Sequence, residues 1–74
     1  MAPRATLYVK DGCAYCDAKR RELRDRGVAF VEVNVTTNPE VTAELLKLTK
    51  GARRVPVIVE RGRIAVAPDG GSDF

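Results

Sequence analysis

Seventy-four residues with 45% hydrophobic content and a net charge of +3 set the scale of one small folded domain. A chain of that length buries only about 60% of its unfolded surface, so its stability is modest. Its two cysteines stand three apart and cannot staple distant segments, which excludes a secreted disulfide scaffold, and no apolar run is long enough to span a membrane.

Thr6-Leu7-Tyr8-Val9, inside the stretch Ala5 to Lys10, is rich in β-forming residues and predicts a first strand. Met1-Ala2-Pro3-Arg4 runs straight into it without a signal-peptide pattern, so a reducing cytoplasm is the expected compartment. Lys10-Asp11-Gly12 predicts a tight turn. A helix follows, with Cys13 at or near its N-cap and Gly27 fitting the C′ position. Its apolar residues, Ala14, Cys16, Ala18 and Leu23, make only a narrow stripe. Lys19, Arg20, Arg21, Arg24 and Arg26 crowd the same helix, interrupted by Asp17, Glu22 and Asp25. With no Trp and few aromatics to stack on bases, this reads as a solvated face and not as a nucleic-acid surface.

Val28 to Val35 alternates around Glu32 and Asn34 and predicts the second strand. In Thr36-Thr37-Asn38-Pro39-Glu40, Thr37 or Asn38 can cap a helix, Pro39 fits its first turn and Glu40 complements its dipole. Val41, Leu45 and Leu48 share one face of that second helix, with Leu46 beside them and Gly51 at its end. Val55-Pro56-Val57-Ile58-Val59 predicts a third strand, buried on both faces, with proline tolerated at its start. Arg61-Gly62 fits a hairpin turn into a short fourth strand, Ile64-Ala65-Val66. Residues 68–74 are too Gly-rich to continue the sheet and are expected to form an irregular tail within the single domain 1–74. The order β-α-β-α-β-β is an α/β pattern. It predicts a parallel pair joined by a right-handed crossover and closed by an antiparallel hairpin, a small mixed sheet.

Chemistry concentrates in Cys13-Ala14-Tyr15-Cys16, after a strand and turn and at the start of a helix. Unpaired N–H groups and the positive end of the helix dipole stabilise a thiolate there, the setting of thiol–disulfide exchange. Cys13 is the expected nucleophile and Cys16, one turn on, the resolving thiol. Two inert buried cysteines would not need to share the first helical turn. A structural zinc site wants four ligands, and the chain offers two cysteines and no histidine, so no metal is expected from one copy.

The chain resembles a glutaredoxin, within the thioredoxin fold. The resemblance rests on Lys10 three residues before Cys13, the Cys13-Ala14-Tyr15-Cys16 motif, the Gly51-Ala52-Arg53-Arg54-Val55-Pro56 segment and the late Gly70-Gly71-Ser72-Asp73, and it covers essentially the whole chain. It implies a four-stranded mixed sheet in the order 2-1-3-4 and a cis bond between Val55 and Pro56. The Val55 backbone would then face Cys13 and pair with an extended substrate. Lys10 and Tyr15 would help hold glutathione. Arg53 and Arg54 are either solvated loop charges or partners of a glutathione carboxylate.

Three departures from the family stand out. Ala14 replaces a frequent proline. Gly70-Gly71 comes later than the family's glycine pair, so the C-terminus is not expected to hold ligand. The usual C-terminal helix is missing, which predicts a bare sheet face, and Lys19 and Glu22 stand where glutaredoxins commonly carry apolar residues. The function implied is reduction of protein disulfides or glutathione mixed disulfides, with glutathione as co-substrate and disulfide-containing proteins as partners, by a monomer or weak dimer. One alternative is a redoxin that donates electrons to ribonucleotide reductase and is itself reduced by thioredoxin reductase. Another is a carrier of an iron–sulfur cluster held with the help of glutathione.

Overall fold

The computed structural model describes residues 3–74. Met1 and Ala2, which open the N-terminal stretch read above, lie outside the described residues. The chain forms strand β1 (Ala5–Val9), helix α1 (Ala14–Asp25), strand β2 (Phe30–Asn34), a 3-10 turn (Pro39–Val41), helix α2 (Thr42–Thr49), and strands β3 (Arg54–Val55), β4 (Val57–Glu60), β5 (Arg63–Val66) and β6 (Ser72–Asp73). No described helix is long and apolar enough to cross a membrane.

β1 and β4 take the two central positions of the main sheet, and β1 is apolar enough to be buried there. Leu7 and Val9 are fully buried, and Ala5 and Tyr8 nearly so. It pairs in parallel with β2, from Ala5 opposite Phe30 to Val9 opposite Asn34, and antiparallel with β4, from Ala5 opposite Glu60 to Tyr8 opposite Val57. β4 turns into β5 through Arg61 (φ 48°) and Gly62 (φ 80°), the two successive positive φ values that a tight hairpin of matching twist requires. The sheet order is β2-β1-β4-β5, which is the expected mixed arrangement. Leu23 from α1 and Leu45 from α2 complete the core with Val55 and Val57. Each such side chain contributes about 1.5–3 kcal/mol on burial.

Four local expectations are corrected. The run from Val55 to Val59 is not one strand: it divides at Pro56, which has no N–H to give to a ladder, and leaves Arg54–Val55 as a separate strand. The Gly-rich tail is not irregular, since Ser72–Asp73 pairs antiparallel with Arg54–Val55 in a second, two-stranded sheet. The buried stripe of α1 is Cys16, Lys19 and Leu23, while Ala14 and Ala18 are exposed. Lys19 therefore does not belong to the solvated basic face. Finally, Asn38 precedes the 3-10 turn but its side chain makes no cap, donating instead to the Asn34 carbonyl at 3.0 Å. Beside α1 a groove of about 500 Å³ opens on the β4–β5 hairpin, with Leu23, Ile58 and Ile64 in its lining, where a bare sheet face was expected.

Candidate active site

The site grows out of the loop after β1. Gly12 takes φ 69°, the left-handed conformation that lets the chain turn sharply into α1. Thr36 accepts the Asp11 N–H at 3.1 Å, and the Asn34 amide donates to the Asp11 carboxylate at 2.8 Å. The end of β2 thus fixes the loop that presents the first cysteine.

Cys13 is the N-cap of α1, with extended φ −105° and ψ 107°, and its Sγ accepts the Cys16 backbone N–H at 3.1 Å. A sulfur in the N-cap acceptor position meets one of the helix's unpaired donors. Both cysteines are free thiols and both are buried. Burial pushes the Cys16 thiol up from the ordinary 9.0 to about 12, and its hydrogen bond with Cys13 adds to the shift. Cys16 is therefore held protonated. Asp17, the one acid in the first turn, would oppose a thiolate, but the Arg20 guanidinium holds it at 2.6 Å. Arg20 also pairs with Glu32 and so ties α1 to β2, and the two carboxylates raise its pKa further, Glu32 foremost.

Val55 and Pro56 are fully buried, joined by the expected cis bond. Val55 shares the buried cluster of Cys13 and Cys16, and its backbone is paired with Ser72. The other residues expected to bind substrate are brought together as well, but around the tail. Lys10 Nζ donates to the Asp73 main-chain oxygen at 2.5 Å. Arg53 Nε donates to the Phe74 main-chain oxygen at 2.7 Å, and its guanidinium lies 4.9 Å from the Phe74 ring centre. Arg54 Nε reaches the Asp73 carboxylate at 3.1 Å. Tyr15 is half exposed, with its ring so close to Gly70 that a Cβ there would stand 2.8 Å from it. Arg53, just before β3, and Arg54, within it, are thus both engaged by the tail.

One cluster was missed. Lys19, 7% exposed, donates to Glu22 at 2.8 Å and to Asp69 at 2.5 Å. Burial pulls its pKa down, but the hydrogen bonds to Asp69 and Glu22 outweigh that and raise it. The signal was available in the spacing, because Cys16, Lys19 and Leu23 recur at the interval of a buried helical stripe. The contribution of Asp69 and Asp73 had no such pattern to reveal it.

Comparison with known proteins agrees with this geometry. The glutaredoxin family profile matches residues 5–65. The glutaredoxin-like protein NrdH of Escherichia coli is 38% identical over 56 residues, spanning 76% of this chain and 67% of that one. The solved structure of the glutaredoxin-like NrdH-redoxin from Escherichia coli, a protein with a thioredoxin-like activity profile, is similar at a TM-score of 0.73 and 33% identity. That likeness covers 85% of this chain and 80% of the other. A glutaredoxin from Archaeoglobus fulgidus shares the fold at a TM-score of 0.78 and 18% identity, over 96% of this chain and 77% of its own. A thioredoxin fold with paired thiols at the start of α1 and a family match over most of its length identifies the chain as a member of the glutaredoxin family of thiol–disulfide oxidoreductases.

Proposed function

We propose that the chain is a dithiol redoxin, reduced by thioredoxin reductase, that passes electrons to disulfides of client proteins, the disulfide of ribonucleotide reductase among them. The observation that carries this reading is the occupancy of the expected glutathione residues. Lys10, Arg53, Arg54 and the Val55 backbone are all engaged by residues 72–74. A tripeptide would have to replace that whole set and then resolve the intermediate, whereas Cys16 supplies the resolving thiol from within the motif. The thioredoxin-like activity profile of the related NrdH-redoxin supports the same reading. The cytoplasm is the compartment proposed, since the dithiol form must persist there.

Cys13, as thiolate, attacks one sulfur of the client disulfide. The Cys13–client S–S bond forms, the client's own S–S bond breaks, and its second sulfur leaves as a thiolate that takes a proton. Cys16 then loses its proton and attacks Cys13 Sγ. The Cys13–Cys16 disulfide forms and the first client sulfur departs, so the client gains two electrons and two protons. The 3.1 Å contact between the Cys16 N–H and Cys13 Sγ holds the two residues of the motif in one helical turn for that second step. Holding Cys16 as a thiol until then keeps it from competing as nucleophile, because the thiolate is the reactive form.

Turnover of a disulfide peptide is to be measured with NADPH and thioredoxin reductase, and separately with NADPH, glutathione and glutathione reductase. Turnover is expected in the first system only. It should vanish in both Cys13→Ser and Cys16→Ser. Turnover with glutathione alone, retained in Cys16→Ser, would replace the dithiol route with a glutathione-resolved one.

A further inference from the structure

The segment after β5 does more than end the sheet. Ala67 turns it with φ 43°, Gly70 with φ 103°, and it then runs extended along β3. Its contacts bracket the nucleophile. Asp73 holds Lys10, three residues before Cys13; Gly70 lies against Tyr15, two residues after it; and Ser72 pairs with Val55 in the same buried cluster. Cys13 is only 3% exposed, although its chemistry requires a disulfide sulfur to reach it along the S–S axis. The site must therefore open for a client to react, and the short strand paired with Val55 is the lightly held element beside it.

We propose that residues 69–74 are a displaceable strap, an internal stand-in for an extended acidic segment of the client protein, which takes the same place during reaction. This rests on the proposed function for the identity of the client and deepens it by naming the chemistry that the groove accepts. Three cations, Lys10, Arg53 and Arg54, border the Val55 backbone edge. The strap satisfies them with two main-chain oxygens and one carboxylate, that of Asp73. An extended strand offers the same main-chain groups, and an acidic side chain opposite Arg54 offers the same charge. A basic side chain at that position would face Arg54 with like charge and be rejected. The strap is built to let go: its ladder is two residues long, and Asp73 and Arg54 are exposed. A two-stranded ladder of that length has little stability of its own.

Two substitutions, one at Gly71 and one at Asp73, allow the strap to be released without touching the cysteines. A Cβ on Gly71 would collide with the Val55 carbonyl oxygen and stand 2.8 Å from the Ala67 Cβ, so Gly71→Val cannot keep the β3–β6 ladder. Iodoacetamide labelling of Cys13 in the reduced chain, read by mass spectrometry, should become roughly tenfold faster in Gly71→Val, since apparent reactivity scales with the open fraction. The peptide acetyl-Gly-Gly-Ser-Asp-Phe-amide should return that rate to the wild-type value, and its counterpart with lysine for aspartate should not. Asp73→Lys keeps every glycine, reverses the charge opposite Arg54 and should also label faster. Amide exchange of β1 verifies that each variant keeps the main sheet.

Equal labelling in wild type, Gly71→Val and Asp73→Lys overturns the strap. Equal protection by the two peptides overturns the acidic preference. Labelling reads no turnover: a chain that labels as expected but reduces no disulfide with thioredoxin reductase supports the strap while overturning the proposed function.

Discussion

The two sheets of this small domain are held by different forces. The four-stranded sheet stands on side chains removed from water, with Leu7, Val9 and Val57 at 0% exposure. The two-stranded sheet of Arg54–Val55 and Ser72–Asp73 has only Val55 buried, and its remaining cohesion comes from ion pairs and hydrogen bonds at the surface. Apolar burial is lost only when the whole core opens, so the first sheet shares the global stability. Exposed charge pairs contribute little each and can separate locally. Cys13, the proposed nucleophile, sits where the durable sheet and the loose one meet, a placement suited to a site that must be rigid on one side and open on the other.

The strongest way to break the contrast is to attack the durable sheet. Leu7→Ala should cost about 3 kcal/mol, because a fully buried leucine leaves both lost transfer energy and a cavity. For a domain of this size that is a large share of the total. Chemical denaturation should show the loss, and amide exchange should show every strand of the main sheet falling together. If only β1 becomes exposed, the core is not the single cooperative unit described here.

Cys16 sharpens the contrast from inside the core. Its folded pKa is raised above the ordinary thiol value, first by burial. The stability this contributes is fully present below about pH 9 and is lost as pH rises towards the folded value, at a slope of about 1.4 kcal/mol per pH unit. Urea midpoints of the reduced chain should therefore fall above pH 9, and those of Cys16→Ala should fall less. Parallel pH profiles for the two would show that Cys16 is not the group responsible.

The main sheet was legible in the sequence because apolar pattern and sheet burial are the same fact seen twice. Leu7, Val9 and Val57 announce their positions by the apolar runs they stand in. The cysteine pair was legible because its place after a strand and Gly12 dictates a helix start. What the pattern could not show was the tail. Nothing in Pro68-Asp69-Gly70-Gly71 has a strand period, and the pairing of Ser72–Asp73 depends on the edge offered by Val55, far away in the chain. Lys19 was misplaced for a related reason. A lysine on a helix is ordinarily solvated, and Asp69, fifty residues later, joins Glu22 in making its burial acceptable.

Lys19 is also the link between the two regions, since it ties α1 to the tail through Asp69. Lys19→Met removes the buried charge, and its partners Glu22 and Asp69, with side chains 46% and 71% exposed, return to solvent and leave no buried charge unpaired. Lys19→Met should thus leave the denaturation midpoint within about 1 kcal/mol of wild type. The tail should loosen all the same, seen as faster exchange of the Gly70 amide, which donates to Ala67 at 3.1 Å. Unchanged Gly70 exchange in the variant would mean that the tail is held by its own turn and not by Lys19.

The smallest effect is expected at the Arg54–Asp73 pair. Both side chains are more than half exposed, at 57% and 80%, so solvent screens their attraction and conformational entropy offsets it. Arg54→Gln should change global stability by less than about 0.5 kcal/mol, the range of exposed pairs. It should still act locally, because Asp73 has Lys10 on its main-chain oxygen and Arg54 on its carboxylate, and losing one of the two loosens the same residue. Exchange of the Phe74 amide, which donates to the Arg53 carbonyl at 3.1 Å, reports that loosening directly. Raising the salt concentration should speed Phe74 exchange in wild type and leave Arg54→Gln less affected, since salt acts on the pair that the variant lacks. A salt response of equal size in both chains would show that the Arg54–Asp73 pair has no part in holding the tail. A global loss of stability in Arg54→Gln would erase the distinction between the two sheets.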